Sequence, residues 1–265
     1  MRATGARPSS VDLTLPSPPD RLRGPTQIAR AVTEGWAART LPCFTCGGDR
    51  LDPVVANAEV ADLRCPACAA EYELKSKKGR FARTVANGAY AAKVRRLASG
   101  TSPHLLLLGT DAERAAVRSL VVIPGRFFSL SVIRKRPALK SNARRAGWVG
   151  STIRLDLIPQ SGRIDVVREG LVSDPSEIDR AWRRTAFIDR IAPESRGWLN
   201  DVLACVEEIA HDPFTLDDVY AFAPRLQALH PDNRNVRPKI RQQLQVLRDN
   251  GQIAFLGGGT YSRTG

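Results

Sequence analysis

The chain has 265 residues, 43% hydrophobic and 25% charged, the balance of a folded globular protein rather than a disordered one. No apolar run approaches the ~18 residues of a membrane span, and residues 1–20 hold no apolar signal segment, so the sequence reads as a cytoplasmic protein without membrane contact. Its 40 basic and 27 acidic residues leave a net charge of +13, and a cytoplasmic chain this basic usually has a polyanionic partner.

Residues 1–25 are rich in Pro, Ser and Gly without a period and read as a loose tail. Ile28, Ala31, Val32 and Trp36 then recur at helical spacing, predicting a helix over 26–39. After four cysteines, residues 59–64 and 71–75 alternate like strands. Residues 81–98 read as one helix with Val85, Ala89, Ala92 and Val94 inward. Residues 104–109 and 119–123 are short apolar runs of the buried-strand kind, the second stopped by Pro124. Residues 153–157 and 163–167 are further strand candidates, 176–184 a short helix, and 192–197 a linker. Strands alternating with helices predict an α/β domain over 26–190, a mixed sheet with helices packed on it.

The C-terminal part, 195–265, follows a different pattern. An amphipathic helix runs over 198–210. Thr215, with Asp218 three residues on, caps a second helix that reaches about Leu229. A third spans 237–250, with Ile240, Leu244 and Leu247 inward and Gly251 as its stop. A small glycine-centred hairpin around 253–261 completes the order of a winged helix. The third helix faces outward with Arg237, Lys239, Arg241, Gln242, Gln245 and Arg248, and such helices enter the major groove of DNA. The same order also serves as a protein–protein module.

The charge is unevenly placed. Residues 75–96 carry eight basic residues, 126–145 seven and 233–248 five, and none of the three windows holds an acid. Of the 40 basic residues 33 are arginine, a bias that a GC-rich genome explains. That bias does not explain why acids vanish from three windows, which look like surfaces facing phosphate.

Cys43 and Cys46 stand two residues apart, Cys65 and Cys68 likewise, with 18 residues between the pairs. This is zinc-ribbon spacing: each turn presents two thiolates, and two turns close a tetrahedron. In a reducing compartment two disulfides are disfavoured. Four protein ligands leave no open position, so the expected Zn²⁺ is structural. Cys205 reads as a buried filler, and the three histidines carry no role.

Asp62 lies on one candidate strand and the pair Glu73 and Lys75 on the next. Residues i and i+2 of a strand share a face, so Glu73 and Lys75 point together and Leu74 goes into the core. If the strands are adjacent, two carboxylates and an ammonium converge. Carboxylates hold Mg²⁺, which prefers oxygen ligands, and the metal activates a water against a phosphodiester. The lysine orients that water and stabilises developing charge. The pattern also fits a solvated strand face with a salt bridge. Glu34, one helix earlier, could add a carboxylate but reads as a helix-surface residue.

The pattern D-x(n)-(D/E)-x-K is that of the PD-(D/E)xK nucleases. The segments VADLRC (60–65), EYELKSKKG (71–79), NGAY (87–90), ARRAGW (143–148), SRGW (195–198) and IRQQLQ (240–245) further resemble the DpnI restriction endonuclease family, in order and nearly uniformly spaced over residues 28–261. The resemblance implies a PD-(D/E)xK catalytic domain with a built-in zinc site, followed by a winged helix. It implies Mg²⁺-dependent cleavage of double-stranded DNA at GATC sites with N6-methylated adenine, without a partner methyltransferase. Catalysis would fall on Asp62, Glu73 and Lys75, with Mg²⁺ on Asp62 and Glu73, and zinc on Cys43, Cys46, Cys65 and Cys68. Trp148, flanked by Arg144 and Arg145, resembles the family's methyl-adenine reader. A methyl group offers no hydrogen bond and must be read by apolar shape, although plain core packing would equally employ a tryptophan here. A second readout would fall at the start of the third helix, on Asn233, Asn235, Arg237, Arg241 and Gln242. There the sequence departs from the family's pattern at Pro231 and Pro238. No obligate protein partner is evident, and a monomer is expected. Two rival readings share these features: a non-cutting zinc-ribbon and winged-helix regulator, and a repair or anti-phage nuclease with another target.

Overall fold

A computed structural model describes residues 11–54, 60–111 and 113–264. Helix α1 (Pro25–Thr40) opens on a proline, whose missing N–H is harmless in a first turn, and turns Trp36 and Ala37 inward. Strands β1 (Asp52–Pro53), β2 (Leu63–Arg64) and β3 (Glu71–Lys78) follow. Then come β4 (Thr84–Ala89), α2 (Tyr90–Ala98), β5 (His104–Asp111), β6 (Ala116–Ile123), β7 (Ile133–Ala138) and β8 (Val149–Arg154). Strands β9 (Ile164–Arg168) and β10 (Leu171–Val172) and helix α3 (Pro175–Arg184) end this half.

The main sheet has seven strands in the order β1-β2-β3-β5-β6-β9-β10. β3 and β5 run parallel and the other neighbours antiparallel, so the sheet is mixed, as the alternation of elements predicts. The four leucines of β5 explain why both faces are covered. Leu106 and Leu108 face a core with Trp36, Tyr72, Leu120 and Trp182. Leu105 and Leu107 face the other way, against Ile123, Phe127, Ile153 and Leu199.

Several elements differ from the sequence reading. Residues 81–98 are not one helix: 84–89 forms β4, paired to β8 with Val85 opposite Ile153, and helix starts only at Tyr90. A ladder irregularity between Asn87 and Ala89 contains Gly88, a poor helix former, and cross-strand pairing overrides local preference. β7 went unforeseen because only Ile133 of its six residues is buried. The strand expected at 153–157 is the end of β8 followed by a 3-10 turn over Leu155–Leu157. Of the strand expected at 59–64, residue 59 lies outside the described residues and β2 covers only 63–64. Residues 11–15, read as part of a loose tail, lie on β6: Val117 N–H donates to Leu13 O (2.8 Å) and Leu15 N–H to Ala115 O (2.9 Å). The Trp36 indole N–H donates to Asp12 O (2.8 Å). Residues 1–10 of that stretch lie outside the described residues.

The expected linker at 192–197 is the opening of helix α4 (Pro193–Glu208), with Pro193 in its first turn. After β11 (Phe214–Thr215), a capping box of Thr215 and Asp218 starts α5 (Leu216–Tyr220). The second helix expected here is broken, and continues as α6 (Ala223–Leu229), which has a proline in its first turn. Helix α7 (Val236–Asp249) and the hairpin β12 (Ile253–Gly257) and β13 (Thr260–Arg263) complete a winged helix whose small sheet runs β11-β13-β12.

Helix α4 is buried almost throughout, because it serves two sides at once. Its Leu199 and Val202 belong to a continuous cluster that contains both Phe127 and Ile153 and the winged-helix residues Ile240, Leu244 and Leu247. Its Asn200 side chain donates to Arg126 O (3.0 Å). Calorimetry should therefore show one cooperative transition for the described chain. Leu199→Ala, at a fully buried position, should lower it by about 2–5 kcal/mol for both parts together. Two resolved transitions, with only one moved, would refute this.

Candidate active site and metal centre

On β3 the pleat sends Tyr72 and Leu74 to one face and Glu73 and Lys75 to the other. Glu73 is 6% exposed. Its Oε1 lies 2.8 Å from Lys75 Nζ, and its Oε2 accepts from Lys93 of α2. Burial pushes the Glu73 carboxyl up, but Lys75 and Lys93 together outweigh it and hold the group below the usual carboxylate range. Burial pushes the Lys93 ammonium down, against the pull of Glu73.

Asp62 reaches the same place from the turn before β2. Its N–H donates to Tyr72 O (2.9 Å) and its carbonyl accepts from Val54 N–H (3.0 Å). Its Oδ2 accepts the N–H of Leu74 (2.9 Å), the residue between Glu73 and Lys75. Helix α1 supplies the third side: Thr33 Oγ1 meets Ser76 Oγ of β3 at 3.1 Å. One helical face thus carries Arg30 and Glu34 to Asp62. Arg30 donates to Asp62 Oδ1 (2.8 Å) and, through Nε, to Glu34. Burial raises the Glu34 carboxyl above its ordinary value despite Arg30, with the negative charge of Asp62 adding to the push. Asp62, Glu73 and Lys75 are thus brought together, and Glu34 joins them across Arg30 rather than standing on a free helix surface.

Two residues of this wall escaped sequence reading. Lys93 is 7% exposed, and its signal was a lysine amid the alanines of α2. Asn87 is 7% exposed; its Oδ1 accepts from Gly88 N–H (2.7 Å), while its Nδ2 has no partner among the described residues. Glu73, Asn87 and Lys93 line one small cavity, about 10 Å³, otherwise walled by residues such as Leu97, Phe128, Ile133 and Ile153.

The four cysteines converge as their spacing predicts. All are free thiols, and their sulfurs lie within 4.8 Å of one another. Cys43 and Cys68 Sγ are 3.5 Å apart, Cys46 and Cys65 Sγ 3.7 Å. Tetrahedral Zn–S bonds of about 2.3 Å need sulfurs about 3.8 Å apart, so this donor set fits the ion. Two similar turns build it: Gly47 N–H donates to Cys43 O, and Ala69 N–H to Cys65 O. The Tyr72 hydroxyl lies 3.2 Å from Cys43 Sγ and accepts from Phe44 N–H (3.0 Å). Burial pushes the Cys43 thiol up, yet Tyr72 and the backbone of Cys46 and Thr45 bring it below its ordinary value. His104 packs between Tyr72 and Trp182, accepts from Gly125 N–H, and is pushed down to about 3 by burial and by Arg126. It is a neutral packing residue.

Trp148 is not in the core. It is half-exposed and lies on Gly150, where an added Cβ would come within 2.7 Å of its ring. The Arg145 guanidinium sits 5.0 Å over that ring, and Arg144 is exposed beside it. Helix α7 begins at Val236, which puts Pro238 third, where an N–H has no intrahelical partner to lose. Asn235, Arg237, Arg241 and Gln242 are exposed at its outer face, Asn233 half-exposed before it. The Arg237 guanidinium lies 5.0 Å over the Tyr220 ring.

The basic windows are not uniform phosphate-facing surfaces. Lys93 turns inward to Glu73, Arg96 pairs with Glu71, and Arg126 is 3% exposed against Asp189 and Trp182 O. Acids from elsewhere in the chain pair with these cations. Lys77, Lys78, Arg134, Lys135 and Arg136 remain exposed.

The comparison with family models agrees with this architecture. Residues 194–263 match the Dam-replacing HTH domain. Residues 20–191 match the DpnI model, described as the Dam-replacing family, and with both halves covered in order the chain belongs to the DpnI family.

Proposed function

We propose that the protein is a methyl-directed type II restriction endonuclease that cleaves double-stranded DNA at GATC sites carrying N6-methyladenine. The observation that carries this reading is the hydrogen bond from Leu74 N–H to Asp62, which sets that carboxylate against the strand bearing Glu73 and Lys75. Asp62 and Glu73 offer hard oxygen donors suited to Mg²⁺, and Glu34 stands close enough to add a third. When bound, the ion would lower the pKa of a water and neutralise charge on the scissile phosphate. Lys75, on the open side of Glu73, orients the attacking water and donates to the phosphoryl oxygen as charge develops. Arg30 and the exposed cations of β3 and β7 hold the backbone. Zn²⁺ on Cys43, Cys46, Cys65 and Cys68 is structural, since four sulfurs leave no open position.

Recognition is assigned to two surfaces. Trp148, propped on Gly150 with Arg145 over its ring, offers an apolar face to the methyl group. Helix α7 presents Asn233, Asn235, Arg237, Arg241 and Gln242 to the major groove as a second reader. Each mismatched base pair costs about 1–3 kcal/mol, so two readers multiply discrimination. A non-cutting regulator would have no use for an ammonium and carboxylates gathered from α1, the turn before β2, and β3.

Plasmid from an adenine-methylating strain should give discrete fragments with Mg²⁺ and none with EDTA, while unmethylated plasmid stays intact. Cutting of both would sink the methyl reading, and binding without cutting would favour the regulator. Asp62→Asn should lose at least ~100-fold in cleavage and melt near the parent, because its amide oxygen still accepts from Leu74 and the Arg30 side chain whose pairing it gives up is largely exposed. Asp62→Ala should also lose about 1–3 kcal/mol of stability. Trp148→Ala should keep cleavage of methylated sites measurable while shrinking the preference over unmethylated ones. Metal analysis should find one zinc per chain, lost together with β3 order in Cys65→Ser.

A further inference from the structure

Glu73 has two oxygens, and its surroundings treat them differently. Oε1 meets Lys75, whose side chain is 26% exposed, on the open side of the site. Oε2 meets Lys93, and these two side chains are each 8% exposed. Lys93 has nowhere to go. The adjoining cavity is about 10 Å³ and walled largely by Leu97, Pro103, Phe128, Ile133 and Ile153. An ammonium moved there would lose its carboxylate and gain no charged acceptor in exchange. Of the other polar side chains on that wall, Ser102 offers only a neutral hydroxyl, and Asn87 presents a donor Nδ2 because its oxygen is taken by Gly88 N–H. A donor cannot receive an ammonium. The geometry pins Lys93 to Oε2.

A carboxylate pinned by its inner oxygen presents its outer one to a metal, and chelation through both oxygens would have to compete with the ammonium. Mg²⁺ demands near-octahedral geometry at about 2.0–2.1 Å, whereas Ca²⁺ takes six to eight oxygens and accepts carboxylates through both. We propose that Lys93 is a positioning residue: it holds Glu73 as a one-oxygen ligand and thereby biases the site towards small octahedral ions and against Ca²⁺. The proposal rests on the reading of Asp62 and Glu73 as metal ligands. Within that reading it assigns ion selectivity to a residue that touches neither metal nor DNA.

The test compares Mg²⁺ and Ca²⁺ binding to the full chain without DNA, by calorimetry, in the parent, Lys93→Met and Lys93→Gln. In Lys93→Met, Glu73 is free to turn both oxygens outward, and the ratio of Ca²⁺ to Mg²⁺ affinity should rise about tenfold, the scale on which outer-sphere partners act. Lys93→Gln keeps one donor for Oε2 and should show a smaller rise. A merely structural lysine would weaken both ions alike and leave the ratio where it was; an unchanged ratio in folded Lys93→Met overturns the proposal. If Lys93→Met does not fold, Lys93→Gln decides, an unchanged ratio again overturning it. Asp62→Asn separates the two levels: if it binds both ions as the parent does, the metal site itself is misassigned and this inference falls with it.

Discussion

A β-strand sends successive side chains to opposite faces, and β3 uses that period to serve two sites within four residues. Tyr72 goes to the cysteine cluster, where its hydroxyl touches Cys43 Sγ and takes the N–H of Phe44. Glu73 and Lys75 go to the opposite face and meet each other and Lys93. A slip of one residue would exchange the faces. It would bury the Glu73 carboxylate among Leu106, Leu108 and Trp182 and push Tyr72 towards the lysines. An unpaired carboxylate in such a core costs several kcal/mol. The register is thus fixed from both sides, and the sulfur cluster positions catalytic-type side chains without sharing their face.

The carboxylates of the site are matched by cations of the same chain: Arg30 for Glu34 and Asp62, Lys75 and Lys93 for Glu73. Three bare carboxylates would repel a phosphodiester. Paired in this way, they leave the surrounding field to the exposed lysines and arginines of β3 and β7, which attract one. The division is by depth. Lys93 and Arg126 are spent on internal pairing, while Lys77, Lys78, Arg134, Lys135 and Arg136 face out. Net charge alone overstates the cations available to a polyanion.

What could be read from the sequence was what lies close in sequence or follows a strict period. The cysteine pairs, the Glu73–Lys75 face, the buried strand β5 and the first and last winged-helix helices with their hairpin belong here. Asp62 was legible because only β2 and one cysteine turn separate it from β3. What could not be read depended on partners far along the chain. Glu34 looked like a surface acid, since its neighbour Asp62 arrives 28 positions later, through folding of the intervening cysteine turn. Lys93 and Asn87 became part of the wall only because residues 84–89 pair with β8 instead of extending α2. Local periodicity favoured the helix, and a strand 64 residues away decided otherwise, as Asn87 opposite Ser151 implies by its register. The loose-tail reading failed over residues 11–15 for the same reason: the backbone of residues 13–15 finds its partners at 115–117.

The same dependence on distant partners ties the winged helix to the carboxylate site on β3. The turn that leads into α7 is fastened to α4: the His230 ring stacks on Trp198 at 4.1 Å, and its Nε2 lies 2.7 Å from Asp201 Oδ2. Asp201 is 2% exposed, and its other oxygen accepts from Ser131 Oγ (3.1 Å), just before β7. β7 pairs with β8, β8 pairs with β4, and β4 delivers Asn87 to the wall behind Glu73. A chain of packed elements therefore runs from the turn before α7 to the cavity that Glu73 also lines, without crossing a flexible linker. Independent domains on a tether would read and cut at separate places, each searching for the other. Here a shared buried helix fixes the distance between α7 and the Glu73 site.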